Sequence, residues 1–200
     1  MNDTESWLIR TMLLSQLVVK SPAKLGRTAL MKLAYLLQTV RDVPLGYDFR
    51  LYTYGPFDSN LLNDLAMAES FGLVESEMIP FVSGSGYGYE FAPGPKYRGA
   101  SEKFAGELAA HQSAIEWALA NFADCTASDL ELLTTVIYAD REVAQRKDRV
   151  SRQELVKMVC GVKPHFSEPY VSEKVEELSG QGLLLALFPR DQGPHGHARS

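Results

Sequence analysis

Two cysteines and four histidines are the residues with which this chain could do nucleophilic or metal chemistry. A thiol becomes a nucleophile when a neighbouring base or cation favours the thiolate. Cys160 and His165 form the nearest such couple, and no carboxylate stands in place to orient the imidazole. Neither Cys125 nor Cys160 has CxxC spacing or a histidine cluster, so both read as free, buried thiols of a reducing compartment. His111 falls on the apolar stripe of a helical stretch, where a packed core histidine is expected. His195 and His197 sit in a Gly- and Pro-containing tail and offer at most weak metal ligation. Around Gly84-Ser85-Gly86 there is no GxGxxG spacing, no following helix and no Lys-Ser/Thr, so a hairpin loop is expected there and not a phosphate cradle. These residues predict no catalytic site, no metal and no cofactor.

What remains is charge and aromatic surface. The net charge is −5, against the globally basic surface of a non-specific nucleic-acid binder. Two stretches are locally basic. Residues 20–41 hold Lys20, Lys24, Arg27, Lys32 and Arg41 without an acid, and residues 141–157 hold more cations than acids. Residues 57–72, by contrast, carry Asp58, Asp64 and Glu69 with no Lys or Arg. Residues 167–182 carry Lys174 among glutamates. A carboxylate about 4 Å from a phosphate costs on the order of 1 kcal/mol even in water. Asn60 and Asn63 could read adenine, but only against that repulsion. Aromatic residues cluster at Tyr35, Tyr47, Phe49, Tyr52, Tyr54, Phe57, Tyr87 and Tyr89.

Several elements must position these groups. Residues 5–20 are apolar around much of a helical circumference and predict a buried helix that ends at Ser21-Pro22. Leu30, Leu33, Ala34, Leu37 and Val40 predict a second helix over 27–41. Phe49, Leu51 and Thr53 alternate with Arg50, Tyr52 and Tyr54 as in a strand, which would put Tyr52 and Tyr54 on one face. Gly55-Pro56 reads as a turn, Asp58 as a helix cap, and Gly72 as a left-handed helix end. Residues 73–81 and 87–91 predict a hairpin, and Pro93-Gly94-Pro95 a boundary. Beyond it the spacing predicts one long helix over 98–122, striped by Phe104, Leu108, Ile115, Leu119 and Phe122. Thr126…Asp129 and Ser151…Glu154 have capping-box spacing for helices over 127–141 and 152–161. Ser167 and Pro169 open a last helix, which ends at Gly180-Gln181-Gly182 and leads into an apolar strand over 183–188.

The runs Arg27-Thr28…Lys32-Leu33-Ala34-Tyr35-Leu36-Leu37, Phe49…Tyr52-Thr53-Tyr54-Gly55-Pro56-Phe57, Leu61…Asp64-Leu65 and Gly72-Leu73-Val74 resemble the YwgA-like bacterial proteins. More remotely they are similar to the Panacea superfamily, which includes the SocA-like antitoxins. Lys163-Pro164-His165-Phe166-Ser167-Glu168 and Val175-Glu176-Glu177-Leu178 look similar to the second half of the YwgA-like proteins. The resemblance implies a winged-helix-related fold and a role among antitoxins, adaptors or phage-defence accessory proteins. It brings no catalytic residues. Fold likeness by itself does not fix function.

The expected protein is mainly α with small β. A winged-helix-like unit would span 1–93, a helical unit 94–189 that may be read as a second, degraded winged helix, and a disordered tail 190–200. No apolar run reaches membrane-spanning length, and a cytoplasmic location is expected. The leading functional reading is a non-catalytic module that grips another protein, such as a neighbour-encoded toxin or defence component. Arg27, Lys32 and Arg50 would supply charge, Tyr35, Tyr52, Tyr54 and Phe57 contact area, and Pro56 rigidity. The alternative is a dimeric DNA-binding regulator with phosphate contacts from Lys20, Lys24, Arg27, Lys32 and Arg41. The long helix is a candidate homodimer element in either case, and packing within the chain would explain its stripe equally well.

Overall fold

The computed structural model describes residues 3–80 and 86–188, with side chains from residue 7 onward. The protein is mainly helical with small antiparallel sheets. It divides into two compact units, Met1–Thr134 and Thr135–Ser200. The boundary expected at residue 93 is therefore displaced. Pro93-Gly94-Pro95 does not release the chain: Gly94 N–H donates to Leu73 O and Lys96 N–H to Gly72 O, both at 2.9 Å. The segments after it bury their apolar stripe against the first helix, so they belong to the first core.

In that unit, α1 (Asp3–Lys20) leads through β1 (Leu25–Gly26) into α2 (Arg27–Val40). A small hairpin, β2 (Arg50–Tyr52) and β3 (Gly55–Phe57), precedes α3 (Ser59–Ser70). A longer hairpin follows, β4 (Val74–Pro80) and β5 (Tyr87–Pro93), then α4 (Tyr97–Lys103), α5 (Ala105–Ala110) and α6 (Gln112–Phe122). The three-stranded sheet has the order β1-β5-β4, and β2-β3 stand apart as a second sheet. The loop expected between the longer strands lies almost wholly outside the described residues, as does the tail with His195 and His197.

α1 is the axis of the core. Met12, Leu13, Leu14 and Leu17 are buried, and α1 packs against α2, α3, β5, α5 and α6. α2 is enclosed around its middle, where every residue from Leu30 to Leu37 is buried. Burying each such aliphatic side chain is worth about 1.5–3 kcal/mol, and the amphipathic patterns specify which faces meet. Asp58 caps α3 as expected, its side chain accepting from Asn60 N–H at 2.8 Å. Gly72 closes that helix with φ +69°, a conformation that Cβ-bearing residues rarely adopt.

The single helix expected over 98–122 is three helices. Phe104 (φ −110°, ψ 23°) and His111 (φ −110°, ψ 5°) leave helical geometry. Gly99 and Gly106 weaken the helix nearby, and each break lets the next segment turn Leu108 or Ile115 onto α1. The stripe of Leu108, Ile115, Leu119 and Phe122 is buried within the unit, so it cannot also be the expected dimer seam.

α7 (Ala127–Gln145) carries the chain across the unit boundary. In the second unit α8 (Arg152–Val162) packs against α9 (Glu168–Gly180). Ser151 and Glu154 form the expected reciprocal capping box. The strand expected at 183–188 is reduced to a single parallel bridge between Val150 and Leu187. No hairpin follows α9 among the described residues, so the second winged-helix reading lacks its wing. This segment is held by the buried Asp140, which accepts from Leu185 N–H and Ala186 N–H. The basic stretch 141–157 is largely engaged here: Arg141 with Asp140 and Leu183 O, Arg149 with Leu187 O, Arg152 with Glu176 and Ser179.

Candidate functional site

The densest organisation of polar and aromatic groups lies between α2 and α3, in residues 41–58. α2 ends where Asp42 takes φ 54° and Val43 N–H turns back to Leu37 O at 3.1 Å. From there the chain runs outside any helix or strand to Phe49, with a tight turn where Leu45 N–H donates to Val43 O at 2.8 Å and Gly46 takes φ 74°. Val43, Leu45, Tyr47 and Phe49 are buried and alternate with exposed Pro44, Gly46, Asp48 and Arg50. Although residues 43–49 lie in no sheet, side chains satisfy much of their backbone. Gln38 clamps Tyr47 in both directions, Nε2 donating to Tyr47 O at 2.8 Å and Oε1 accepting from Tyr47 N–H at 2.9 Å. Asp58 accepts from Asp48 N–H at 2.7 Å with the oxygen it does not use for capping. A buried backbone group left unpaired would cost about 1–3 kcal/mol, so these side chains fix where the segment runs.

Below the segment sits a buried charge cluster. Arg10 donates from Nε and Nη2 to the carboxylate of Asp64, at 2.5 and 3.3 Å. The Tyr47 hydroxyl donates to the same carboxylate at 2.6 Å, and the guanidinium lies 4.9 Å from the Tyr47 ring centroid. Burial opposes the Arg10 charge, but the hydrogen bond and the charge of Asp64 outweigh it, and the guanidinium pKa stands above its ordinary value. Burial, then the bond to Asp64, pushes the Tyr47 phenol well above its ordinary range. Tyr47 is thus held as a neutral donor, unsuited to proton transfer near neutrality.

On this base stands the β2–β3 hairpin, with Arg50 opposite Phe57, Leu51 opposite Pro56 and Tyr52 opposite Gly55. Gly55 supplies the left-handed residue, φ 87°, that closes so tight a turn. Tyr35 meets Phe49 edge-on at 5.2 Å, and Phe49 meets Tyr47 at 5.5 Å. Tyr52 leans on Phe57 at 5.8 Å. Tyr52 and Tyr54 nevertheless remain 68% and 70% exposed. Arg50 is exposed and bonded to Asp48, which leaves the hairpin near neutrality.

The predicted contact residues therefore separate into two groups. Arg50, Tyr52 and Tyr54 reach the surface, and Phe57 is half-buried. Lys32, Tyr35 and Pro56 do not. Lys32 was expected to offer charge to a partner, but it is 2% exposed and its Nζ donates to Pro56 O at 2.7 Å. It belongs to an enclosed helix, and it braces the hairpin from beneath. Pro56 lies in β3 and not in a turn, a position permitted because a two-stranded sheet consists of edges. Arg10, Gln38 and Asp64 were missed as parts of the site. The readable signal for Gln38 was a polar residue closing an apolar helix, while Arg10 and Asp64 are 54 residues apart and share no local pattern.

The cations proposed for phosphate do not form one patch. Lys24 lies near Glu77 and Glu90, at 4.0 and 3.2 Å. Arg27 stacks on the Tyr89 ring at 3.5 Å, while Arg41, at the other end of α2, lies over Trp117 at 5.2 Å. Lys32 is buried, and Lys20 is exposed at the end of α1. The acids of α3 also differ from expectation. Asp58 and Asp64 are buried in the bonds above, and Glu69 accepts from the Ser76 hydroxyl and N–H. Two of the three acids are therefore spent inside the protein, Glu69 stays at the surface, and what the outer face of α3 lacks is any cation.

Among the described residues no group of three or more His, Cys, Asp or Glu side chains is placed to hold a metal, and no helix is long and apolar enough to cross a membrane. No protein-family model and no curated protein matches the chain.

Proposed function

We propose that this chain is a non-catalytic protein-binding module of antitoxin or adaptor type, acting in the bacterial cytoplasm in regulation or defence. One observation carries the reading: two largely exposed tyrosines ride on a hairpin braced from beneath by buried and part-buried polar and aromatic contacts. Tyrosine offers large amphipathic area at low entropic cost, and a braced backbone lowers the ordering penalty of association further. Near-neutral surroundings suit contact with a protein better than with a polyanion. We read the order helix, strand, helix, helix, hairpin, with sheet order β1-β5-β4, as a winged helix carrying one inserted hairpin. That order supports the winged-helix reading, while the YwgA-like or Panacea kinship rests on the sequence motifs alone. DNA binding is the weaker reading, because the cations it needs are buried, paired or set at opposite ends of α2.

The test compares wild type with Tyr52→Ser/Tyr54→Ser as bait in lysate of the native host, with mass spectrometry of what is retained. A stoichiometric partner held by wild type and lost from the double variant is the expected result. Equal retention by both, or a salt-sensitive complex with mixed duplex DNA and no protein partner, would overturn the proposal.

A further inference from the structure

A second surface lies at the far end of α3. The tyrosine hairpin adjoins Asp58 at the start of that helix, while Phe71 closes its end, about 20 Å away at 1.5 Å per residue. There the first turns of α1, the end of α3 and α4 enclose an open groove of about 590 Å³. Trp7, Leu8, Met12, Phe71, Ala100 and Phe104 make it apolar. Trp7 and Phe71 meet edge-on at 5.8 Å, yet Phe71 stays 43% exposed. A contiguous apolar strip of this kind costs solvation free energy in a lone chain and marks a place to be covered.

Among the described side chains, charge at the groove is of one sign. Lys96 and Lys103 line it, both exposed, and no acidic side chain among the described residues does. Among the described residues neither lysine has a carboxylate within ion-pair distance, in a chain whose net charge is −5. Lys96 is also oriented: its aliphatic stem runs along Gly72, where an added Cβ would meet its Cδ at 3.4 Å. We propose that this groove receives an amphipathic helix of a partner protein, its apolar residues at i, i+3/i+4 and i+7 filling the groove and its flanking glutamates or aspartates meeting Lys96 and Lys103. A small apolar ligand fits less well, since no buried polar group converges on the groove to orient one. A second copy docked through the same face would bring the lysines of both copies toward one twofold axis. This surface is separate from the tyrosine hairpin, and the inference does not depend on the role given to that hairpin.

The probe is a fluorescein-labelled synthetic peptide of about 18 residues, roughly five helical turns, with leucines at helical spacing and glutamates flanking them. A twin peptide keeps the leucines and replaces each glutamate by lysine. Anisotropy and Trp7 emission are followed on the full chain. The acidic peptide should bind at least about tenfold more tightly than the basic one, and Lys96→Glu/Lys103→Glu should invert that order. Phe71→Ser should weaken binding of the acidic peptide, whereas Tyr52→Ser/Tyr54→Ser should leave it unchanged. Circular dichroism confirms that these surface variants fold. Failure of both peptides to bind, equal binding of the two, or insensitivity to Phe71→Ser would overturn the inference. So would light scattering that shows a wild-type dimer which Phe71→Ser dissociates.

Discussion

Replacing Asp64 by Asn tests whether the buried charge cluster holds up the hairpin. The substitution keeps the shape of the side chain and removes its charge, leaving the Arg10 guanidinium without a counterion. Breaking a buried ion pair from one side typically costs about 3–5 kcal/mol. Here the Arg10 side chain is 19% exposed against 4% for Asp64, so water can repay part of the loss. The asparagine carbonyl can still accept from the Tyr47 hydroxyl. The expected cost is therefore roughly 2–3 kcal/mol. With a urea m-value of about 2 kcal/mol/M, the midpoint should fall by about 1–1.5 M at unchanged m. Trp7 and Trp117 both lie in the first unit, so tryptophan emission follows the unfolding of the part that contains the cluster. Arg10→Met should cost a similar amount. The double variant Arg10→Met/Asp64→Asn should cost clearly less than the sum, because neither charge is then stranded. A cost below about 0.5 kcal/mol for Asp64→Asn, or additivity in the double variant, would refute the reasoning.

Three further outcomes are expected. The Tyr47 phenol is held protonated in the folded chain while an unfolded tyrosine titrates near 10, so stability is complete below about pH 10 and falls as pH rises beyond it. Burial of Tyr97 acts in the same direction; urea midpoints between about pH 8 and 11 should show the fall, and Tyr47→Phe should flatten most of it. Gly94→Ala should be among the most damaging small substitutions, because its Cβ would lie 2.3 Å from Gly72 O and 2.7 Å from Leu73 C, backbone that cannot swing aside. A loss on the order of 3 kcal/mol is expected, read as a drop in thermal midpoint, and an unchanged midpoint would contradict the packing described for the end of β5. Glu77 and Glu90 face each other across β4 and β5 with Lys24 between them, so Lys24→Ala should cost under about 1 kcal/mol at low salt and almost nothing at about 1 M NaCl.

How much of this was legible beforehand depended on whether the deciding interaction was local. The helix over 27–41, the Asp58 cap, the left-handed Gly72 and the Ser151–Glu154 box all rest on neighbours within a few residues, and each was readable; Tyr54 is exposed because it lies in the turn, and not through the expected strand alternation. The β2–β3 hairpin was not, because its turn at Thr53-Tyr54 lacks the Asn-Gly type of signal and Pro56 within a strand argues for a break. The breaks at Phe104 and His111 were invisible for a related reason. An unbroken apolar stripe describes three short helices wrapped on one partner as well as it describes one long helix. Lys32 was misread although its surroundings were informative. It is the one charge in the apolar run Ala29–Leu37, and a charge so placed on an enclosed helix must find a partner inside, here the Pro56 carbonyl.

Charge counted along a sequence and charge presented at a surface are different quantities, and α3 separates them. Its acids looked like a barrier to any polyanion. In the fold, Asp58 is consumed by two backbone N–H groups, Asp64 by Arg10 and Tyr47, and Glu69 by Ser76. The outward residues are Ser59, Asn60, Asn63, Ala66, Met67, Glu69 and Ser70, so one carboxylate stays at the surface and no cation accompanies it. Since nucleic-acid affinity comes chiefly from neutralising phosphates, a helix without a cation gains little even when its carboxylates are turned aside. The proposed preference for a protein partner therefore stands on a different footing from the one read in the sequence. It rests on the absence of cations from the outer face of α3, and on the buried acids having been used to hold the tyrosine hairpin in place.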